Sequence, residues 1–296
     1  MITVDVDVPA GIDVLRTMKF QRFGPRDPCA RAGASFFAKA FRFRGDEVVV
    51  RVTGGGERVR VDFFGDGAER VAPHARSMVG ADDPAWDDAS LPRVVRDGLV
   101  GTRLPRAPWI TDRLTTQVMQ QRVPFDEAAR AWAMLCRRLG TKAPGDVDVI
   151  MPPPFRALAR VSDHELRSVG IDMQRRITLR RVWEVAHRLD PMADEPREEA
   201  LRKMATIRGI GPWTLGMMAG LAFGDADAAP TGDYALPHSV AFALAGEERA
   251  DDARMLELLA PYAGNRFRVI KAISTAGIEA PRRGPKRELV RLDPFK

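Results

Sequence analysis

A chain of 296 residues holds one large or two medium domains with ample core. Hydrophobic residues at 45% and charged residues at 29% exclude a disordered chain, and no apolar run is long enough to span a bilayer. A net charge of +6 and a pI of about 9.7 favour polyanionic partners without requiring nucleic acid.

The opening segment alternates Ile2, Val4, Val6 and Val8 with Thr3, Asp5 and Asp7, the pattern of a half-buried strand. It carries no basic segment followed by an apolar run, so no signal peptide is expected. Residues Gly11 to Phe20 read as a helix. Ser35 to Arg44, Glu47 to Thr53 and Arg58 to Phe64 read as strands, parted by turns at Gly45-Asp46 and Gly54-Gly55-Gly56. Asp66 to Met78 reads as a closing helix. Cys29 and Cys136 have no metal-ligand spacing, exclude a four-cysteine iron–sulfur cluster, and read as reduced thiols of a cytoplasmic protein.

The charged, proline-bearing stretch GADDPAWDDASLP marks a boundary. This divides the chain into an N-terminal α/β domain (1–104), a helical core (105–280) and a basic tail (281–296). Helices are expected over Ile110 to Gln121, Asp126 to Leu139, Met173 to Leu189, Pro196 to Ile207 and Pro212 to Phe223. Three more are expected over Tyr234 to Ala245, Asp251 to Tyr262 and Phe267 to Ala276. Ser162 to Glu165 is a capping box, and Pro212 suits the first turn of its helix. The fold class is therefore α+β, an antiparallel sheet with helices followed by an all-helical body.

The segment Met204 to Tyr234 carries the chemistry. Gly209-Ile210-Gly211 turns between two helices, and such a turn offers backbone N–H groups to a phosphate at a helix N-terminus. Thr214, in the next first turn, adds a hydroxyl donor. Read plainly, the same residues make an ordinary helix corner with a capping glycine. Asp233 follows a loop and is placed to reach a sugar on the same strand; alone, it would read as an N-cap. Read plainly, Trp213 is core and Arg122 a surface arginine. Asp225 and Asp227 read as solvated loop residues, and no second carboxylate is placed beside Asp233. His238 has no assigned role. Arg282, Arg283, Lys286 and Arg287 read as a solvated tail or a phosphate contact.

Ile207-Arg208-Gly209-Ile210-Gly211-Pro212-Trp213-Thr214, followed by a loop ending Gly232-Asp233-Tyr234, resembles the helix-hairpin-helix DNA glycosylases. The branch it resembles is the DNA-3-methyladenine glycosylase II (AlkA-type) group. Val118 to Val123 is similar to the segment that places a wedge in the duplex. Glu165 to Gly170 with Arg175-Arg176 is similar to the helix pair before the hairpin, and Pro261-Tyr262 with Arg266 to Ile270 to the closing helix. The likeness rests on motifs over 105–280 and on element order alone over 1–90, where it implies a TBP-like N-terminal sheet.

The resemblance implies a catalytic aspartate at Asp233 and a base pocket around Trp213, Met217, Tyr234 and Lys271. Phosphate contacts fall on Gly209, Gly211 and Thr214. The backbone carbonyls of Ala205, Ile207 and Ile210 match those that hold a structural Na+ or K+; no other cofactor is implied. Gln121 or Arg122 falls at the wedge, although the family's wedge is apolar. Met217 and Lys271 stand where the family has aromatics. The Schiff-base lysine of strand-cutting relatives is missing after Gly211, which implies a monofunctional enzyme. The expected partner is double-stranded DNA with damaged bases, the expected state a monomer. The expected substrates are alkylated purines of the 3-methyladenine and 7-methylguanine type. Another lesion, hypoxanthine or an oxidised purine, or non-catalytic damage binding, is the alternative.

A base must be extruded before its glycosidic bond is reached. Breaking that bond builds positive charge on the sugar, which one carboxylate can stabilise. A purine methylated at N3 or N7 is already cationic and departs without a second acid, and it gains from stacking on Trp213 by roughly 0.5–2 kcal/mol.

Overall fold

The structure is a computed structural model that describes residues 1–281. Strand β1 (Ile2–Asp7) leads into a short helix α1 (Val14–Met18), capped by Asp13 accepting from the Arg16 amide. A single 3-10 turn, Lys19–Gln21, finishes the segment expected as one helix. Strands β2 (Ala30–Ala32), β3 (Phe36–Phe43), β4 (Asp46–Gly55) and β5 (Arg58–Phe64) follow. All pairings are antiparallel in the order β1-β5-β4-β3-β2. The three-residue edge strand β2 is too short to leave an alternation in the sequence.

Phe37, Phe41 and Phe43 face one side of the sheet with Val50, Val52 and Val61. Helices α2 (Ala68–Val71) and α3 (Ala75–Met78) cover that side. The segment 66–78 breaks between them because Pro73 has no N–H to continue the ladder. On the other side, Ala40 and Val49 pack on Ala143, Val149 and Met151. Met151 belongs to, and Ala143 and Val149 flank, a two-stranded ribbon, β6 (Thr141–Lys142) and β7 (Ile150–Met151), inside the region expected to be helical.

Helix α4 (Arg93–Leu99) begins just after the boundary stretch 80–92, in a segment for which no element is expected from the sequence. Its Val95 packs with Val240, Met255, Leu259 and Ile273 from the far end of the chain. A Cβ on Gly98 would lie 2.8 Å from the Ala272 carbonyl oxygen, so glycine lets the two backbones meet.

The helical body begins with α5 (Ile110–Gln120) and α6 (Phe125–Leu139). Next come α7 (Phe155–Leu158), α8 (Asp163–Ser168), α9 (Met173–Glu184) and α10 (Ala186–Leu189). The capping box at Ser162 and Glu165 forms in both directions. Helices α11 (Arg197–Ala205) and α12 (Pro212–Phe223) form the hairpin. Helices α13 (Leu236–Ala245), α14 (Asp252–Leu259) and α15 (Arg266–Thr275) close the fold. Helix α13 starts two residues later than expected, with Pro237 in its first turn and Tyr234 left in the preceding turn.

Central to the body is α5, buried along almost its whole length. Lys39 of β3 reaches Asp27 at 3.7 Å and Asp112 of α5 at 3.6 Å, all three nearly inaccessible. Burial opposes the Lys39 ammonium, and the two carboxylates outweigh it, holding its pKa above the usual lysine value. Asp190, 1% exposed, accepts from the Thr111 amide at 2.9 Å, the Thr111 hydroxyl at 2.8 Å and the Arg44 amide at 2.8 Å. These bonds fix the start of α5 against the β3–β4 turn, so its far end is held in place.

Candidate nucleic-acid interface and active site

The far end of α5 meets the hairpin. Gly209 has φ +104, a left-handed conformation closed to most side chains, and a Cβ there would lie 2.4 Å from Thr178 Oγ1 of α9. Gly211 is different: its φ of −106 is open to any residue, and a Cβ would meet nothing within 4 Å. Gly211 therefore faces open space at the N-terminus of α12, whose first N–H groups have no intrahelical acceptors. The helix dipole adds positive potential there.

The chain between α5 and α6 turns at Arg122, exposed and held at φ +62. A non-glycine residue in that region is strained by about 1 kcal/mol, and here the strain projects an arginine from the tip of a tight turn. Gln121 does the reverse. Its amide donates to the Gly209 carbonyl and to Thr214 Oγ1, both at 3.0 Å, and this binds it to the hairpin. Thr214 is 1% exposed, so its hydroxyl is a structural acceptor rather than the phosphate donor expected of it.

Asp233 lies in the turn before α13. Its Oδ1 accepts from the Ala235 amide at 2.7 Å and the Leu236 amide at 2.8 Å, leaving Oδ2 out of these backbone bonds. Capping and availability for chemistry thus coexist in one carboxylate. Pro230, three residues earlier, packs where a Cβ on Gly216 would be, 2.7 Å away, so the Asp233 loop lies against α12. Asp252 supports the same turn by accepting the Gly232 amide at 2.8 Å. The sequence reading missed this second carboxylate because it lies 20 residues away and only the fold brings it close.

No protein-family model matches the chain, and no curated protein matches it. Solved structures do. A 3-methyladenine DNA glycosylase from Archaeoglobus fulgidus aligns with a TM-score of 0.71 at 17% identity, covering 93% of this chain and 98% of its own. An 8-oxoguanine glycosylase/lyase from Clostridium acetobutylicum, in its apo form, aligns at 0.62 and 11% identity, covering 93% and 96%. The same kind of enzyme in complex with double-stranded DNA carrying cytosine opposite 8-oxoguanine aligns at 0.62 and 11%, covering 94% and 98%. The chain has the helix-hairpin-helix glycosylase fold.

Within this glycosylase fold the expected pocket residues are arranged unevenly. Trp213, at the second position of α12, is partly exposed beside the hairpin turn. Met217 packs on Phe267, Leu104 and Ala228. Tyr234 is 87% exposed, with its ring edge-on to His238 at 5.5 Å, so it stands outside any pocket wall. Lys271, on α15, holds its ammonium 4.5 Å from the centroid of Phe20. Burial lowers its pKa to about 8, and the Arg113 guanidinium on α5 adds to the shift.

Two loop carboxylates expected to be solvated are structural. Asp227 accepts from the Gly264 amide and Arg266 Nε, both at 2.7 Å, and Arg266 holds its carboxyl below the usual range. Asp225 pairs with Arg197 at 3.1 Å. The Ile207 carbonyl accepts from the Ile210 amide at 3.0 Å and keeps a second lone pair. The carbonyls of Ala205, Ile207 and Ile210 belong to this one turn, and neutral oxygens of that kind suit a hard monovalent cation. Among the described residues, no cluster of His, Cys, Asp or Glu could hold a metal, and no helix is long and apolar enough to cross a membrane. The basic side chains from Arg282 onward lie outside the described residues.

Proposed function

We propose that this protein is a monofunctional DNA N-glycosylase of base excision repair, hydrolysing the glycosidic bond of a damaged purine in duplex DNA. The observation that carries the reading is Asp233, with one oxygen fixed by two backbone N–H groups at the start of α13 and the other left for chemistry. The turn that carries Asp233 opens a ten-residue helix. In the reaction, Asp233 Oδ2 stabilises the positive charge growing on the deoxyribose and accepts the proton of the attacking water. The Gly211 end of α12 takes a strand phosphate, and Arg122 enters the gap that the extruded base leaves. A monovalent cation on the Ala205, Ile207 and Ile210 carbonyls would add positive charge beside that phosphate.

Helix α12 reads PWTLGMMAGLAF and contains no lysine, which supports hydrolysis without strand cutting. The division into an N-terminal unit, a helical core and a tail, and a monomeric state, are part of the same reading. Alkylated purines are the first substrate class, since a cationic base departs with the help of a single carboxylate. Uncharged oxopurines are the second, favoured by the position of Lys271. The test is a labelled duplex carrying one lesion, read with and without alkali. Base loss that yields breaks only after alkali, and that Asp233→Asn abolishes without loss of duplex binding, is the expected result. Equal rates for both proteins would refute it.

A further inference from the structure

A cavity of about 280 Å3 opens where α3, the chain before α5, the start of α11 and the end of α12 meet. Pro108, Ala222 and Phe223 give it an apolar wall, and Arg106, Arg197 and Glu195 give it charge. It lies at the C-terminal end of α12, and the hairpin turn lies at the other end of the same helix. Twelve residues rise about 18 Å along a helix, so the cavity is a place apart from Gly211.

The wall is held in place before any ligand arrives. The Arg106 amide donates to the Ser77 carbonyl of α3 at 2.9 Å, and the Ala107 amide donates to the Ala222 carbonyl of α12 at 2.9 Å. The Arg106 stem rests on Gly224, the left-handed cap of α12, where a Cβ would lie 3.3 Å from Arg106 Cγ. Arg106 therefore leaves the backbone from a fixed point between two helices.

The charges around the cavity have partners, with one exception. Glu195 accepts from Lys203 at 2.8 Å. Arg197 is shared between Glu198 at 2.7 Å and Asp225 at 3.1 Å. His74 faces Asp194 at 3.3 Å. Among the described residues the Arg106 side chain has no ion pair and no hydrogen bond. A solitary arginine on a convex surface is simply hydrated. This one borders a preformed concavity with five N–H donors and a full charge unmatched.

We infer that this cavity is a second ligand site, which takes a small phosphate ester with its phosphate on Arg106 and its organic part against Pro108, Ala222 and Phe223. The planar guanidinium fork matches the oxygens of a phosphate, which accept two parallel hydrogen bonds and carry the opposite charge. A lone phosphate ion would leave the apolar wall bare, and an ester brings a body to cover it. The volume is close to the lower end of ligand pockets, roughly 300–1,000 Å3, which limits that body to about the size of a sugar. The site does not depend on Asp233, and no bond is made or broken there.

The experiment titrates the full chain with ribose 5-phosphate, ribose and citrate by calorimetry at fixed ionic strength. Ribose 5-phosphate is expected to bind at one site with a Kd of about 1 mM or below, and ribose not to bind. Arg106→Gln should weaken that binding by about ten-fold, the loss of a charge-assisted bond, and this exposed position lets the variant keep its thermal midpoint. Glu195→Gln, which removes the cavity's own negative charge, should tighten binding by about three-fold. Saturating undamaged duplex should leave the Kd within about two-fold, since the hairpin is at the far end of α12. No binding of ribose 5-phosphate, equal binding of ribose, tighter binding of citrate, or an unchanged Kd in Arg106→Gln overturns the inference. Weaker binding in Glu195→Gln does the same. Displacement by duplex also overturns it and makes Arg106 a DNA contact.

Discussion

Gln121 donates its side-chain amide to the carbonyl of Gly209 at 3.0 Å, joining the end of α5 to the turn of the hairpin. The same amide reaches Thr214 Oγ1, so a single side chain binds both sides of the turn that would hold a phosphate. Gln121→Ala should destabilise the protein by about 1 kcal/mol, the usual net value of such bonds. Duplex affinity should fall more steeply than stability, since the turn loses its brace. Chemical denaturation paired with a DNA titration at fixed salt checks both.

The two hairpin glycines should separate cleanly. Gly209→Ala puts a Cβ 2.4 Å from Thr178 Oγ1 at φ +104, and a loss of roughly 2 kcal/mol or more is expected. Gly211→Ala meets open space at an ordinary φ, so its stability should change by no more than about 0.5 kcal/mol. Its duplex binding should nonetheless weaken several-fold if a phosphate approaches there. Unchanged affinity in Gly211→Ala would place the phosphate elsewhere.

Arg122→Gly should relieve the left-handed strain and stabilise the fold by up to about 1 kcal/mol. The same change should lower base release, because nothing then fills the gap in the duplex. A variant both more stable and fully active would remove the wedge role.

Asp252 acts on the Asp233 turn through the Gly232 amide. Asp252→Ala should lower the single-turnover rate by about ten-fold while leaving duplex affinity within about two-fold, the pattern of a positioning residue. A loss of affinity with an unchanged rate would make it a binding residue instead.

Asp190 carries a pH signature. Burial raises its pKa to about 6 from 3.8, against the bonds from Thr111 and Arg44. The folded state therefore binds its proton more tightly than the unfolded state. Its contribution to stability is full below about pH 4 and is lost as pH rises through about 6, roughly 3 kcal/mol in all. Denaturation midpoints taken from pH 4 to pH 7 should show this slope, and Asp190→Asn should flatten it.

Much of the fold was legible in the residues. Alternating Ile2, Val4, Val6 and Val8, and the glycine turns at Gly45 and Gly54, specify strands because side-chain period and positive φ are local properties. The Gly209 turn was legible for the same reason. Edge strand β2, the β6–β7 ribbon and α4 were not, because each is short and is held by partners distant in sequence. Pro73 and Pro237 moved helix boundaries that periodicity alone had drawn too long.

The sequence by itself determined the order of the longer elements, the hairpin with its left-handed glycine, and the absence of a lysine in α12. Tertiary structure decided which way side chains face. It turned Gln121 inward, sank Thr214, exposed Tyr234, brought Asp252 under the Asp233 turn and set Lys271 over Phe20. The physical reason is range. Backbone preference and periodicity act over one or two turns of chain, whereas burial, charge and hydrogen-bond satisfaction depend on neighbours that only folding brings together.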